Sequence, residues 1–194
     1  MIITPFEHNL VLAAPTPGYV RSAGLHASAL YGAFYQAIDP KRYDKRDKAG
    51  VALPFDLAKM EMGTSFESVL EPAIAARLFG ERPGEFTSPE GIIFSPDYLF
   101  FETGATILGE FKLTWYSSRD GLDSEKFDKW KTQIQMYCYW LRITRARLYV
   151  LWVNGDYKPP SPVLQAWELQ FTRDELQEET ETVLRHGRNV GLLT

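Results

Sequence analysis

The sequence predicts an α/β fold in a single domain, and three observations carry that expectation. Tyr98–Phe101 and Thr106–Phe111 are β-branched and aromatic runs separated by Glu102-Thr103-Gly104-Ala105, which reads as a β-hairpin. Ser124 to Arg142 has the clearest helical periodicity, with Phe127, Trp130, Ile134, Tyr137, Cys138 and Leu141 on one stripe. Arg147 to Asn154 is almost continuously apolar, as a central strand should be. The full order reads helix, helix, hairpin strands, helix, strand, strand, helix.

Composition sets the bounds. A chain of 194 residues buries about two-thirds of its unfolded surface as one domain. Hydrophobic content of 45% and charged content of 24% are those of an ordinary globular protein. No apolar run is long enough to span a membrane, and no basic-then-apolar leader opens the chain. The single cysteine, Cys138, excludes an internal disulfide and a four-cysteine iron–sulfur or zinc site. A cytoplasmic protein is therefore expected. The net charge of −4 argues against a generic nucleic-acid binder. A metal-binding carboxylate cluster and acidic outer helices can nevertheless mask a local basic groove.

Taken in order, residues 1–24 are rich in proline and glycine and should be irregular or short strands. Ala27 to Ile38 places Leu30, Phe34 and Ile38 at helical spacing, with Ser28 as its cap or its first residue. Pro40 to Lys48 is a charged linker, either a solvated loop or a contact to a nucleic-acid backbone. In Met62 to Pro72, Phe66, Val69 and Leu70 are spaced for a helix that Pro72 ends or kinks. Glu67 and Glu71 lie one turn apart on one face of that helix. Thr114 to Asp123 is a polar loop, and Gly155 to Pro162 another. Val163 to Phe171 alternates as a strand. Thr172 to Arg188 is a helix whose Thr172 and Glu175 form a capping box. Its glutamates face outward and receive no catalytic role.

The chemistry concentrates around the hairpin. Ser95-Pro96-Asp97 precedes it, and Glu110-Phe111-Lys112 closes it after twelve residues counted from Asp97. Glu110 and Lys112 are two apart on one strand and share a face, while Phe111 faces the other way. Pairing the strands brings Asp97 toward them. Two carboxylates and an ammonium on one face are costly to bury unless they bind something, and a divalent metal held by hard oxygens answers that cost. The plain alternative is a surface hairpin with scattered charges.

Pro96-Asp97 followed by Glu110-Phe111-Lys112 resembles the signature of the PD-(D/E)xK nuclease superfamily. Gly63 and Glu67 are similar to the helix motif of its lambda-exonuclease-like members, with Glu71 as the alternative acidic ligand. Gln133 and Tyr137 are similar to the QxxxY helix that RecB-type and lambda-exonuclease-like nucleases carry after the ExK strand. A gap of four residues puts both side chains on one helical face. The resemblance covers residues 60–155, with residues 1–194 expected to form one nuclease domain. Ser95-Pro96-Asp97 with an upstream glutamate looks most like the lambda exonuclease and YqaJ-type branch.

That resemblance implies an αβββαβ core, a mixed central sheet flanked by helices, and hydrolysis of DNA phosphodiester bonds from DNA ends. Asp97 and Glu110 would hold Mg²⁺ or Mn²⁺, with Glu67 and the Phe111 carbonyl completing the shell. Lys112 would orient a water or stabilise the transition state. Gln133 and Tyr137 would position the strand. Arg21, His26 and Ser28 are candidates for a terminal phosphate, with helix entry as their other role. Ser117, Arg119 and Lys129 are candidates for further contact with DNA. The implied partners are DNA and a single-strand annealing or binding protein, with a homo-oligomer allowed and no membrane. A sequence- or structure-specific endonuclease and an inactive DNA-binding module are the alternatives.

Overall fold

The computed structural model describes residues 1–5, 22–43, 62–63, 65–66, 69–70, 72–73, 77–153 and 162–194. The first part runs β1 (Ile2–Pro5), α1 (Ala27–Ile38) and α2 (Pro40–Tyr43), with further helical residues at 62–63, 65–66, 69–70 and 72–73. Three short strands follow, β2 (Gly80–Glu81), β3 (Phe86–Thr87) and β4 (Ile93–Phe94). The hairpin is β5 (Tyr98–Glu102) and β6 (Ala105–Thr114). The chain then forms α3 (Asp128–Leu141), β7 (Arg145–Trp152), β8 (Val163–Gln170) and α4 (Arg173–Asn189).

Six strands share one sheet in the order β1-β8-β7-β6-β5-β2, while β3 and β4 pair separately. β6 and β7 run parallel, and the other neighbours in the large sheet are antiparallel. A parallel pair cannot be joined by a tight turn, so α3 makes the crossover between them. The sheet is therefore mixed, and helices flank it on both faces.

Strand alternation divides the core. Leu99, Leu108, Leu148, Val150 and Trp152 pack on one face with Leu30 of α1, Ile134 and Cys138 of α3, and Leu176 and Val183 of α4. Tyr98, Phe100, Ile107, Phe111 and Tyr149 pack on the other face with the helical residues Phe66 and Leu70. Burying a ring such as Phe111, 2% exposed, contributes about 1.5–3 kcal/mol. That anchorage fixes which way Glu110 and Lys112 must point. Among the described residues, no helix is long and apolar enough to cross a membrane.

Several boundaries differ from the sequence expectation. Ser28 lies inside α1, and His26 holds the cap position without a side-chain cap bond. The first four linker residues, Pro40 to Tyr43, form a helical turn, while Asp44 to Lys48 lie outside the described residues. The strand of Glu110 continues to Thr114, because pairing with β7 extends to the Thr114–Trp152 register. Residues Glu125–Phe127 are a 3₁₀ turn capped by Ser124, and the α-helix begins only at Asp128. β7 starts at Arg145, two residues before the apolar run, since Arg145 and Arg147 are paired with Glu168 and Glu102 across the sheet. The loop expected over Gly155 to Pro162 lies almost wholly outside the described residues. Thr172 forms the expected capping box with Glu175.

Candidate active site

The hairpin register builds the site. Tyr98 pairs with Gly109 and Leu99 with Leu108, so Asp97, just before β5, meets β6 at Glu110 and Phe111. The main-chain N–H of Phe111 donates to Oδ2 of Asp97 at 2.8 Å, which fixes that carboxylate beside the strand. Gly104 closes the turn with φ +77°, a conformation that side chains disfavour. Phe111 turns into the opposite core, so Glu110 and Lys112 both face α3.

Glu110 is fully buried and Lys112 keeps 17% of its side chain exposed. Lys112 Nζ forms an ion pair with Oε1 of Glu110. Gln133, from the second turn of α3, donates its side-chain amide to the same oxygen. A strand pair and one helix thus converge on a single carboxylate. Charge-assisted bonds of this kind are about twice as strong as neutral ones.

Burial pushes the Asp97 carboxyl above its ordinary range, against the opposing pull of the Lys112 ammonium and the Phe111 N–H. Burial also opposes the charge on Lys112, but the carboxylates of Glu110 and Asp97 outweigh it and hold the ammonium protonated well above its usual range. Burial, with Glu110 nearby, raises the Cys138 thiol far out of the reactive range, so this cysteine is a core residue.

The donor set suits a hard divalent ion. Asp97 and Glu110 offer carboxylate oxygens in a buried site beside the Lys112 ammonium, with Arg82 a further cation within electrostatic reach of Asp97. Phe111 follows Glu110 on β6, in register with Tyr149 of β7, and its N–H meets Asp97. Among the described residues, no group of three or more His, Cys, Asp or Glu side chains gathers as a metal cluster. Glu67, Glu71 and Arg21 lie outside the described residues.

The remaining candidates are scattered. Tyr137 is 4% exposed and its ring packs 5.3 Å from Phe94, in the core. His26 bonds through Nε2 to the Ser22 carbonyl at 2.8 Å, and its backbone bridges Ile93. Ser28 is half-buried in the first turn of α1. Ser117 accepts from the Arg119 N–H at 3.2 Å and caps a 3₁₀ turn, while Arg119 is exposed. Lys129 lies over the rings of Tyr31 and Tyr43. Sequence reasoning missed Tyr31, which lies within electrostatic reach of Lys112. Its place between Leu30 and Phe34 on the buried side of α1 was the available signal.

No family model and no curated relative matches the sequence. Among solved structures, the chain is similar to the protein SSO0001, at 14% identity and TM-score 0.49, over 86% of this chain and 78% of that one. It is also similar to LHK-Exo, an alkaline exonuclease from Laribacter hongkongensis, at 17% identity and TM-score 0.42, over 66% and 68% of the two chains. The structure of LHK-Exo in complex with dAMP matches at 17% identity and TM-score 0.49, over 88% of this chain and 94% of that one.

Proposed function

We propose that this chain is a magnesium-dependent deoxyribonuclease that removes nucleotides from DNA ends. The observation that supports it most is the convergence of Asp97, Glu110 and Lys112 on one face of the hairpin, with Gln133 reaching Glu110 from α3. A surface hairpin with idle charges would not bury Glu110 completely.

In this reading Asp97, Glu110 and the Phe111 carbonyl would hold Mg²⁺ or Mn²⁺, joined by Glu67 on the strength of its spacing from Gly63. The ion supplies Lewis acidity and charge neutralisation to the phosphate under attack. Lys112, held protonated by its carboxylate neighbours, orients the attacking water or stabilises negative charge as it develops. Gln133 keeps Glu110 in one orientation, and the aromatic wall around Phe111 keeps the strand rigid beneath it. Resection of DNA ends in recombination or repair, in the manner of phage enzymes, is the setting that the motif resemblance supports.

Incubation with linear and covalently closed duplex DNA in added Mg²⁺ tests the reading. Progressive loss of linear DNA with survival of closed circles is expected. Discrete fragments from a closed circle would point to an endonuclease and overturn the requirement for an end.

A further inference from the structure

A line of cations and tyrosines leads outward from Lys112. Tyr31 of α1 lies within electrostatic reach of it, and Lys129 Nζ sits 5.6 Å from the centre of the Tyr31 ring. The same ammonium lies 6.0 Å from the Tyr43 ring, at the end of α2. Arg42 covers that ring at 5.9 Å, and the Tyr43 hydroxyl reaches the Glu125 carbonyl at 3.5 Å. Tyr116, 42% exposed, is an electrostatic neighbour of both Arg42 and Tyr43, and Lys126 Nζ lies 5.4 Å from its ring. Exposure rises along the line, from Tyr31 at 6% to Tyr116.

Two acidic side chains flank this line. Asp128 pairs with Lys131 at 2.5 Å, and Asp39 sits 3.7 Å from Arg42. Four cations interleaved with three rings gather at one place, beside the candidate active site. Cations alone would suit a duplex backbone. Rings set between them suit a strand whose bases are unpaired, because phosphates meet ammonium groups while bases stack on tyrosines.

We propose that Lys129, Tyr43, Arg42, Tyr116 and Lys126 form a track that holds single-stranded DNA leading into the Asp97–Glu110–Lys112 site. The track gives the proposed nuclease its substrate class, a strand already separated from its partner at the point of entry, and to that extent rests on the nuclease reading. Binding along it does not require the metal.

The test is fluorescence anisotropy with a labelled oligothymidylate of roughly 16 nucleotides, an upper site size for single-strand grooves, in EDTA so that nothing is cleaved. Tyr116→Ala should weaken binding about fivefold or more through lost stacking, and Tyr116→Phe should restore it. Lys129→Gln and Lys126→Gln should each lower the slope of log affinity against log salt by about 0.7, and Lys129→Arg should retain the slope. A wild type that binds no single strand would overturn the track, as would unchanged affinity and slope in all three loss variants. A blunt duplex bound as tightly as the single strand would also overturn it, by assigning the cations to a duplex backbone. If the wild type binds and the variants lose binding but no DNA is cleaved with Mg²⁺, the track stands and the nuclease reading fails. If DNA is cleaved and the variants bind normally, only the track fails.

Discussion

The side-chain amide of Gln133 donates to Oε1 of Glu110, the oxygen that Lys112 also reaches. This contact ties the crossover helix to the strand it spans, and it does so at a carboxylate with no solvent of its own. Gln133→Ala removes one donor from a buried charge. The expected loss is about 1–3 kcal/mol in urea unfolding, beyond what surface substitutions on the same helix cause. An unchanged midpoint would show that the bond contributes nothing.

Asp97 gives a pH dependence with a definite sign. Its carboxyl is raised by burial, so the folded state holds its proton to higher pH than the unfolded chain does. Stability from this group is therefore present below the ordinary carboxylate range, about pH 4, and is lost as pH rises through the raised value. Lys112 titrates far above that window and does not interfere. Asp97→Asn, neutral throughout, should melt higher than the wild type in EDTA, by a margin that grows with pH and closes in acid. A margin that shrinks as pH rises would reverse the sign of the argument.

Gly109 is required by packing. A Cβ there would stand 2.7 Å from Cε2 of Phe100 and 2.9 Å from Cβ of Tyr98, and the second of these atoms is bonded directly to the backbone of the paired strand and cannot swing away. Gly109→Ala must push β5 away from β6 beside Glu110, at an expected cost of about 1–3 kcal/mol. Denaturant titration of the variant, with circular dichroism as the signal, reads this directly. A wild-type midpoint would mean the hairpin opens freely at this position.

The third acidic ligand is a separate matter of sequence. Gly63 and Glu67 have the spacing of the exonuclease-type motif, and Glu71 directly precedes Pro72, where the sequence leads one to expect the helix to end or kink. Glu67→Gln should weaken the Mg²⁺ dependence of cleavage and slow turnover at least about tenfold, some 1.4 kcal/mol in the barrier. Glu71→Gln should cost clearly less. Titrating Mg²⁺ against rate for both variants decides between them, and a larger defect in Glu71→Gln would exchange their roles.

What was legible in the sequence was local. The α1 boundaries at Ala27 and Ile38, the hairpin and the Thr172–Glu175 box all depend on residues within a few positions of one another. The opposed facing of Glu110 and Phe111 follows from the two-residue strand period alone. β2, β3 and β4 have two residues each, too few for any periodicity, and exist because Gly80 meets Phe100 and Phe86 meets Phe94. The start of β7 was hidden because Arg145 reads as a loop charge until Glu168 comes alongside. In the candidate site, spacing put Gln133 and Tyr137 on one face but not at one depth: Gln133 meets Glu110, and Tyr137 ends against Phe94. Tyr31 comes within electrostatic reach of Lys112 only through the packing of α1 against α3, which no local pattern encodes.

The central claim is that Asp97 and Glu110 are the working acids of a metal-dependent nuclease. Nucleotide release from end-labelled linear duplex, with Mg²⁺ and in EDTA, for the wild type, Asp97→Asn and Glu110→Gln, tests it most directly, with circular dichroism to show that each variant is folded. The account predicts Mg²⁺-dependent release by the wild type and none by either folded variant. Full activity in a folded variant would remove that residue from the site, and a wild type that releases no nucleotide would contradict the account as a whole.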